Sequence, residues 1–200
     1  MASTDPDFVD LAAGVLARGG AVVLPTDTVY GLAALPSVPG ATDALFRLKA
    51  RAADQPLAVL VADADQAVGM FAQVTPEVRS WMSRWWPGAL TIVGARSTAV
   101  QHLQLGAGPD TIGVRCPDHA YLRELARRVG PVATTSANRS GEPTPRTAAE
   151  AAASLDGPVD LVVDGGPAGT LASTVVDTVA SPWRILRAGA VTDADLRSSS

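Results

Sequence analysis

Short segments rich in valine, leucine and isoleucine recur along this chain, and segments with helical periodicity separate them. The first two lie at residues 21–24 and 57–61, with a helical segment near residues 42–50 between them. Further segments of this kind lie at residues 90–95, 111–115, 132–135, 160–164, 174–179 and 183–186. Apolar strands that alternate with helices are typical of an α/β sheet covered by helices on both faces. The pattern therefore predicts an α/β fold.

Capping residues predict where the helices begin. Asp5 is the expected N-cap of the first helix, Pro6 its first residue, and Gly19 follows its end. Thr147 and Glu150 have the spacing of a capping box. Other helices are expected to start at Asp63, Thr75, Asp118 and Thr192.

The chain has the length and apolar content of one domain. Its 200 residues, 47% of them hydrophobic, suffice for a large single core. We expect one domain over residues 1–200, with its core at about residues 8–190 and a disordered serine tail at 198–200. An apolar run of about 18 residues is absent, and so is a basic segment followed by an apolar one, which disfavours insertion into a membrane and secretion. The single cysteine, Cys116, cannot form an internal disulfide, so a cytoplasmic location is expected.

The charge balance limits the possible partners. A formal net charge of −4 argues against binding nucleic acid through a broad basic face, but it leaves room for a small cationic pocket. Lys49 is the only lysine among the 16 cationic residues. Lysine provides a compact point charge that suits phosphate oxygens. The alternative is that drift left the last lysine at this position.

Four polar clusters lie where predicted strands or helices end, the region where open α/β sheets bind ligands. They are residues 25–32, the pair Lys49 and Arg51, residues 111–115 ending in Arg115, and residues 134–141. Arg115 is suited to gripping a carboxylate with both of its terminal nitrogens. Each cluster also has a structural explanation, namely a turn that satisfies its own backbone, a helix end or a solvated loop.

The residues that usually provide a protein nucleophile are scarce. No Gly-x-Ser-x-Gly elbow is present. His102 and His119 are expected at the surface or at a helix start, and Cys116 is expected to be a small buried side chain. Trp81 and Trp85, four residues apart, are expected in the core. An enzyme with this sequence would rely on positioning and on cationic stabilisation.

Taken in order, the motifs from about residue 19 to residue 189 resemble the YrdC/Sua5 family of threonylcarbamoyl-AMP synthases. The similarity rests on the Pro-Thr-Asp-Thr-Val-Tyr-Gly-Leu block at 25–32, Lys-x-Arg at 49–51 and Trp-Pro-Gly-Ala-Leu-Thr at 86–91. It continues with residues 111–117, Ser-x-Asn at 136–138, Asp-Gly-Gly at 164–166, Ser-Thr at 173–174 and Arg-x-Gly at 187–189. The resemblance implies a twisted, mostly mixed sheet with flanking helices around a concave cationic cavity.

The resemblance also implies a reaction that needs no protein nucleophile. L-threonine and bicarbonate form N-carboxythreonine, whose carboxylate attacks the α-phosphorus of ATP and expels pyrophosphate, for t6A modification of tRNA position 37. Lys49 and Arg51 are implied as the catalytic residues. The implied ATP contacts are Lys49, Arg51, Thr111, Ser136, Asn138, Thr144 and Arg187. The implied threonine contacts are Thr26, Arg115, Thr134 and Ser173. Mg²⁺ would be held mainly by the ATP phosphates, and the product would pass to proteins that transfer it to tRNA, with at most a weak tRNA contact by this chain.

The sequence departs from many relatives at two places. Gln55 stands where many have a lysine, and Leu60 stands about where some have a histidine. The short, single-domain YrdC-like form is expected, with residues 101–109 and 136–146 as candidate lids over a covered site. The alternatives are a YciO-like paralogue, or an RNA- or ribosome-binding module of the same fold with little synthase activity.

Overall fold

A computed structural model describes residues 7–108 and 110–198 of the chain. The helices are α1 (Phe8–Ala17), α2 (Asp43–Lys49), α3 (Ala64–Val68), α4 (Pro76–Trp85), α5 (Ala120–Val129), α6 (Ala148–Ala153) and α7 (Asp193–Arg197), with a 3-10 turn at Thr98–Val100. The strands are β1 (Val22–Leu24), β2 (Gly31–Ala34), β3 (Ala58–Leu60), β4 (Leu90–Ala95), β5 (Thr111–Arg115), β6 (Val132–Ser136), β7 (Leu161–Val162), β8 (Thr174–Asp177) and β9 (Arg184–Arg187).

The strands of the described residues form one nine-stranded sheet in the order β7-β1-β2-β6-β3-β5-β4-β8-β9. The pairs β1 with β7, β3 with β5 and β4 with β8 are parallel, and the other neighbours are antiparallel. The predicted α/β class is confirmed, and the sheet is mixed as the resemblance implied.

The larger hydrophobic core lies on one face of the sheet, beneath α2, α3, α4, α6 and α7. Trp81 of α4 is fully buried there, and its ring meets that of Trp183 edge to face at 5.3 Å. Its indole nitrogen donates to the carbonyl oxygen of Leu196 at 3.1 Å, so the packing of α7 is coupled to that of α4. Trp81 is therefore a core residue, as expected.

Helices α1 and α5 cover only one end of the opposite face. Phe8 and Leu16 of α1 pack there with Leu122 and Leu125 of α5. The remainder of this face is lined by small and polar side chains and forms an open cavity. The expectation of a sheet covered by helices on both faces therefore holds for one face and for one end of the other.

Capping chemistry located most of the helix starts. The side chains of Asp63, Thr75, Thr147 and Thr192 each accept a backbone hydrogen bond at the start of a helix. Helix α5 instead begins after His119, one residue later than predicted. Strand β2 was not predicted, because Gly-Leu-Ala-Ala carries none of the β-branched or aromatic residues that favour strands.

Both chain ends extend beyond the described residues. The predicted cap Asp5 and the first helical residue Pro6 lie outside them, and Asp7 takes the N-cap position of α1. At the other end, Ser198 caps α7, and residues 199–200 of the predicted tail also lie outside. No helix in the described ranges combines the length and apolar character needed to cross a membrane.

Candidate active site

A cavity of about 730 Å³ opens on the sheet face that α1 and α5 leave uncovered. Successive side chains of a strand point to opposite faces, so every second residue of the central strands lines it. The strand residues that line it are Gly31, Ala58, Leu60, Thr91, Val93, Thr111, Gly113, Arg115, Thr134, Ser136, Val175 and Asp177, together with Thr135, which departs from this alternation, and Arg184, Leu186 and Arg187 of the edge strand β9. Its volume is in the range of small-molecule and cofactor sites.

Strand β5 shows how the sequence builds this floor. Ile112 and Val114 are buried in the large core, whereas Thr111, Gly113 and Arg115 face the cavity. A Cβ at Gly113 would lie 3.5 Å from the methyl carbons of both Thr91 and Val93, an ordinary contact. A glycine here therefore leaves open a space that a larger side chain would occupy.

The loop before β2 is a hydrogen-bonded turn at the cavity wall. The Thr26 hydroxyl accepts from the backbone N–H groups of Thr28 and Val29 at 3.0 and 3.2 Å and donates to the Val29 carbonyl oxygen at 2.7 Å. This is the self-satisfied turn that the sequence left as the alternative explanation. Thr26 nevertheless lines the cavity, and a Cβ at Gly31 would lie only 3.0 Å from the Thr134 hydroxyl. The absent side chain at Gly31 therefore leaves room beside both predicted threonine contacts.

Arg115 is held rigidly at the end of β5. Its Nη2 contacts the Asp27 carboxylate at 2.5 Å, its Nη1 donates to the Thr28 hydroxyl at 2.8 Å, and its Nε donates to the Gly88 carbonyl oxygen at 2.9 Å. Burial lowers the pKa of the guanidinium, and the Asp27 charge opposes that shift. These bonds use three of the five N–H donors, so two remain for a ligand in the cavity.

Arg187 lies across the cavity on β9 and is tied to Ser173. Its Nε donates to the Ser173 carbonyl oxygen and its Nη2 to the Ser173 hydroxyl, both at 3.0 Å. The Ser173 hydroxyl lies 2.8 Å from that of Thr91. Burial and the charges of Arg115 and Arg51 lower the pKa of Arg187. The charges of Arg115 and Arg51 therefore disfavour the charged form of Arg187, and an anion in the cavity would oppose that effect.

The other charged residues of the cavity are Arg51, Arg184 and Asp177. Arg51 donates to the carbonyl oxygens of Gln55 at 3.0 Å and Pro56 at 3.1 Å, and burial lowers its pKa. Arg184 pairs with Asp177 at 3.1 Å. Among the described residues that line the cavity, four are thus arginines and one is a carboxylate. Arg184, Asp177 and Thr91 were not predicted as site residues. Alternation along β8 places Asp177 on the same face as Ser173, whereas placing Thr91 requires knowing that β4 lies next to β8.

Eight of the predicted contacts lie in the cavity wall: Thr26, Arg51, Thr111, Arg115, Thr134, Ser136, Ser173 and Arg187. Three do not. Lys49 is only 1% exposed, and its amine contacts the carbonyl oxygens of Ser136 and Asn138. Asn138 is buried and donates to the carbonyl oxygens of Arg139 and Glu142. The Thr144 hydroxyl lies 3.4 Å from the Thr170 carbonyl oxygen, and its role stays a prediction.

The two departures from the relatives have different positions. Leu60 lines the cavity and pairs with Arg115 in the register of β3 and β5, so it places an apolar wall beside the guanidinium. Gln55 is exposed, and its backbone carbonyl receives the Arg51 bond.

The candidate lids also differ. The described part of the loop at 101–108 is fixed by backbone bonds of Leu57 to Leu105, Ala107 to Ala53 and Gln104 to Pro36, and none of its described residues lines the cavity; Pro109 lies outside the described residues. In the other loop, residues 136–146, only Ser136 lines the cavity.

Neither the cysteine nor the two histidines are among the described residues that line the cavity. Burial raises the pKa of the Cys116 thiol to about 11, and the thiol lies 3.4 Å from the Ala62 carbonyl oxygen, as expected for a small core residue. His102 is exposed, and His119 precedes α5. In the part of the chain that the structure describes, no three His, Cys, Asp or Glu side chains cluster as metal ligands.

Comparisons with known proteins agree with this architecture. A sequence profile of the Sua5/YciO/YrdC family, described as "telomere recombination", matches residues 14–189. A Bacillus subtilis (strain 168) protein named threonylcarbamoyl-AMP synthase is 36% identical over 194 residues, covering 96% of this chain and 56% of that protein. The crystal structure of P. abyssi Sua5 complexed with L-threonine has a TM-score of 0.88 at 34% identity, covering 96% of this chain and 56% of that one.

The structure of E. coli YciO has a TM-score of 0.84 at 24% identity, covering 94% of this chain and 92% of that one, and shows a shared fold. The chain spans little more than half the length of the B. subtilis and P. abyssi relatives, and nearly the full length of YciO.

Proposed function

Because the chain belongs to the Sua5/YciO/YrdC family, we propose that it is an L-threonylcarbamoyladenylate synthase. Such a nucleotidyltransferase converts L-threonine, bicarbonate and ATP into threonylcarbamoyl-AMP and pyrophosphate. The product would supply tRNA threonylcarbamoyl-transfer proteins in the cytoplasm. The observation that carries the proposal is the cavity lining, which combines four arginines with threonine and serine hydroxyls around an open floor.

The charges of the cavity suit both substrates. Threonine brings a carboxylate, and ATP brings its phosphates. The two free donors of Arg115 would bind the amino-acid carboxylate side by side, next to the hydroxyls of Thr26 and Thr134. Arg51 and Arg187, which pair with no carboxylate among the described residues, would bind phosphate oxygens. Thr111 and Ser136 lie on the same floor and would contact the nucleotide.

The proposed reaction uses a nucleophile that the substrate brings. The nitrogen of threonine bonds to the carbon of bicarbonate with loss of water, which gives N-carboxythreonine. A carboxylate oxygen of this carbamate then attacks the α-phosphorus, and the bond to the bridging oxygen of pyrophosphate breaks. The protein would align the two groups and stabilise the charge that gathers on pyrophosphate. In this reaction no side chain of the protein has to act as a nucleophile.

The donor set does not provide a protein-built magnesium site. Asp177 is the one carboxylate among the described lining residues, and Arg184 neutralises it. Magnesium would therefore arrive on ATP as part of the substrate, and no catalytic step is assigned to protein-held metal.

The test is pyrophosphate release by the purified protein with ATP, L-threonine, bicarbonate and Mg²⁺. Release should require all four components. Arg51→Gln should lower the rate of release by about tenfold or more, which corresponds to a loss of about 1.4 kcal/mol or more in transition-state stabilisation. Arg47→Gln is the matched control, because Arg47 lies on the same helix end, is exposed and does not line the cavity. Absence of release with the complete mixture would overturn the proposal. Equal release with L-serine would favour a YciO-like paralogue of different specificity.

A further inference from the structure

The Lys49 ammonium is buried among oxygens of Ser136, the last residue of β6, and of Asn138 in the loop that follows. Its Nζ contacts the Ser136 carbonyl oxygen at 2.5 Å, the Asn138 carbonyl oxygen, and the Asn138 side-chain oxygen at 3.5 Å. An ammonium group has three N–H donors, and these three acceptors use all of them. A phosphate could bind the amine only by displacing a loop oxygen.

The backbone separates Lys49 from its neighbour Arg51. Ala50 has φ 48° and ψ 39°, a left-handed conformation that costs a non-glycine residue about 1 kcal/mol or more. It is the one non-glycine residue with positive φ in the described ranges. On one side of this turn Lys49 is buried, and on the other Arg51 lines the cavity. The two cations of the Lys-x-Arg motif therefore lie in different environments, Lys49 in the protein interior and Arg51 at the cavity wall.

Asn138 completes the connection between α2 and the loop. Its amide nitrogen donates to the carbonyl oxygens of Arg139 at 2.9 Å and Glu142 at 2.7 Å. The backbone N–H of Ser140 donates to the Lys49 carbonyl oxygen at 2.9 Å. Lys49 thus holds residues 136–142 through its side chain and its backbone, and the nearest cavity-lining residue on that loop is Ser136.

We propose that Lys49 is a positioning residue that fixes the loop at 136–142 so that Ser136 and the adjoining backbone face the cavity in a geometry suited to a nucleotide. Lys49 would act through the loop oxygens without touching phosphate. Asn138 would serve the same purpose from the loop side. The nucleotide part of this inference rests on the proposed function, whereas the ordering of the loop does not.

Hydrogen exchange of the ligand-free protein tests the ordering directly. Lys49→Met keeps an unbranched side chain of similar length and removes all three donors. Exchange at the amides of Ala137, Ser140 and Glu142 should accelerate by about tenfold to a hundredfold, the equivalent of a lost hydrogen bond to a charged group. The amides of strand β5 belong to the ladders with β3 and β4, so they should exchange as in the parent protein.

Arg51→Met is the matched control, because Arg51 donates to the carbonyl oxygens of Gln55 and Pro56 within its own segment. It should leave exchange at 136–142 unchanged. Both variants should raise the KM for ATP. Exchange at residues 136–142 should become faster only in Lys49→Met. Unchanged exchange in Lys49→Met together with a raised KM would overturn the proposal, since it would indicate direct phosphate contact.

Asn138→Ala provides a second route if Lys49→Met does not fold. It removes the other half of the connection and should accelerate exchange at the same amides. Unchanged exchange in Asn138→Ala would also overturn the proposal. If the protein released no pyrophosphate at all, the exchange result would still decide the role of Lys49 in the loop.

Discussion

Arg115 and Arg184 are two arginines in one cavity that should contribute very differently to stability. Each is paired with a largely buried aspartate, Asp27 at 15% and Asp177 at 11% side-chain exposure, but the side chain of Arg115 is 7% exposed and that of Arg184 is 67% exposed. Removing one partner of a buried pair leaves the other charge without compensation. Solvent screens a pair whose cation is exposed, and without Arg184 the Asp177 carboxylate would still accept from the backbone N–H of Val179 at 3.0 Å.

Arg115→Gln is therefore expected to lower the free energy of unfolding by about 3 to 5 kcal/mol, because Asp27 and the Gly88 carbonyl lose their partner. Arg184→Gln, the matched control, should cost about 1 kcal/mol or less. Urea denaturation monitored by tryptophan fluorescence measures both. Equal losses in the two variants would refute the difference in burial on which this prediction rests.

Single residues also mark a limit of prediction from sequence. The lysine at position 49 was recognisable as unusual, and phosphate binding was the natural chemical explanation. Its burial was not predictable, because it depends on the left-handed turn at Ala50 and on carbonyl oxygens some 90 residues later in the chain. Arg51, two residues further on, does line the cavity as the sequence suggested.

At the scale of an element, the two faces of β5 can be changed separately. Gly113→Val would place methyl groups in the cavity while its Cβ makes ordinary contacts with Thr91 and Val93. We expect a folded protein that binds ATP at least about tenfold more weakly, a loss of about 1.4 kcal/mol.

Ile112→Val on the other face of the same strand is the control. It should cost about 0.5 to 1.5 kcal/mol of stability through the lost methylene and leave ATP affinity unchanged. Isothermal titration calorimetry and urea denaturation separate the two effects. Full ATP affinity in Gly113→Val would show that the nucleotide does not occupy this floor.

Elements with strong local signals were predicted well from the sequence. Strands β4 and β5 have the predicted bounds, and the capping box of Thr147 with Glu150 is present. From its apolar pattern, the helix predicted to start at Asp63 was expected to continue to about Ala72, but it is only Ala64–Val68, because Phe71 pairs with Arg96 in an isolated β-bridge. The end of this helix therefore depends on a tertiary contact, which the local hydrophobic periodicity does not reveal.

At the scale of the whole molecule, the charge is distributed unevenly. The chain carries a net charge of −4, while its cavity gathers four arginines. The cavity should attract small anions, whereas the surface as a whole should not retain a polyanion.

We therefore expect tRNA binding to be weak and to disappear between about 50 and 200 mM salt. Filter binding with labelled tRNA across that range measures it, with a basic RNA-binding protein as the positive control. Retention of tRNA at about 150 mM salt without ATP turnover would favour the RNA- or ribosome-binding alternative.

The order of the strands is the feature of the whole molecule that the sequence left open. Neighbours such as β6 and β3 come from distant parts of the chain, and their pairing depends on long-range packing. The polar clusters at 25–32 and 111–115, Arg51 of the pair with Lys49, and residues 134–136 of the cluster at 134–141 nevertheless converge on one cavity. Their convergence was predictable because ligands bind at strand ends in open α/β sheets, whereas the detailed contacts were not.

The most direct test of the proposed synthesis follows the carbon of bicarbonate. Purified protein is incubated with ATP, L-threonine, Mg²⁺ and either ¹³C-labelled or unlabelled bicarbonate, and the nucleotide products are identified by mass spectrometry. The proposed reaction predicts an adenylate that contains threonine and whose mass increases by one labelled carbon. Release of ADP, or a threonine adenylate whose mass does not respond to the label, would contradict it.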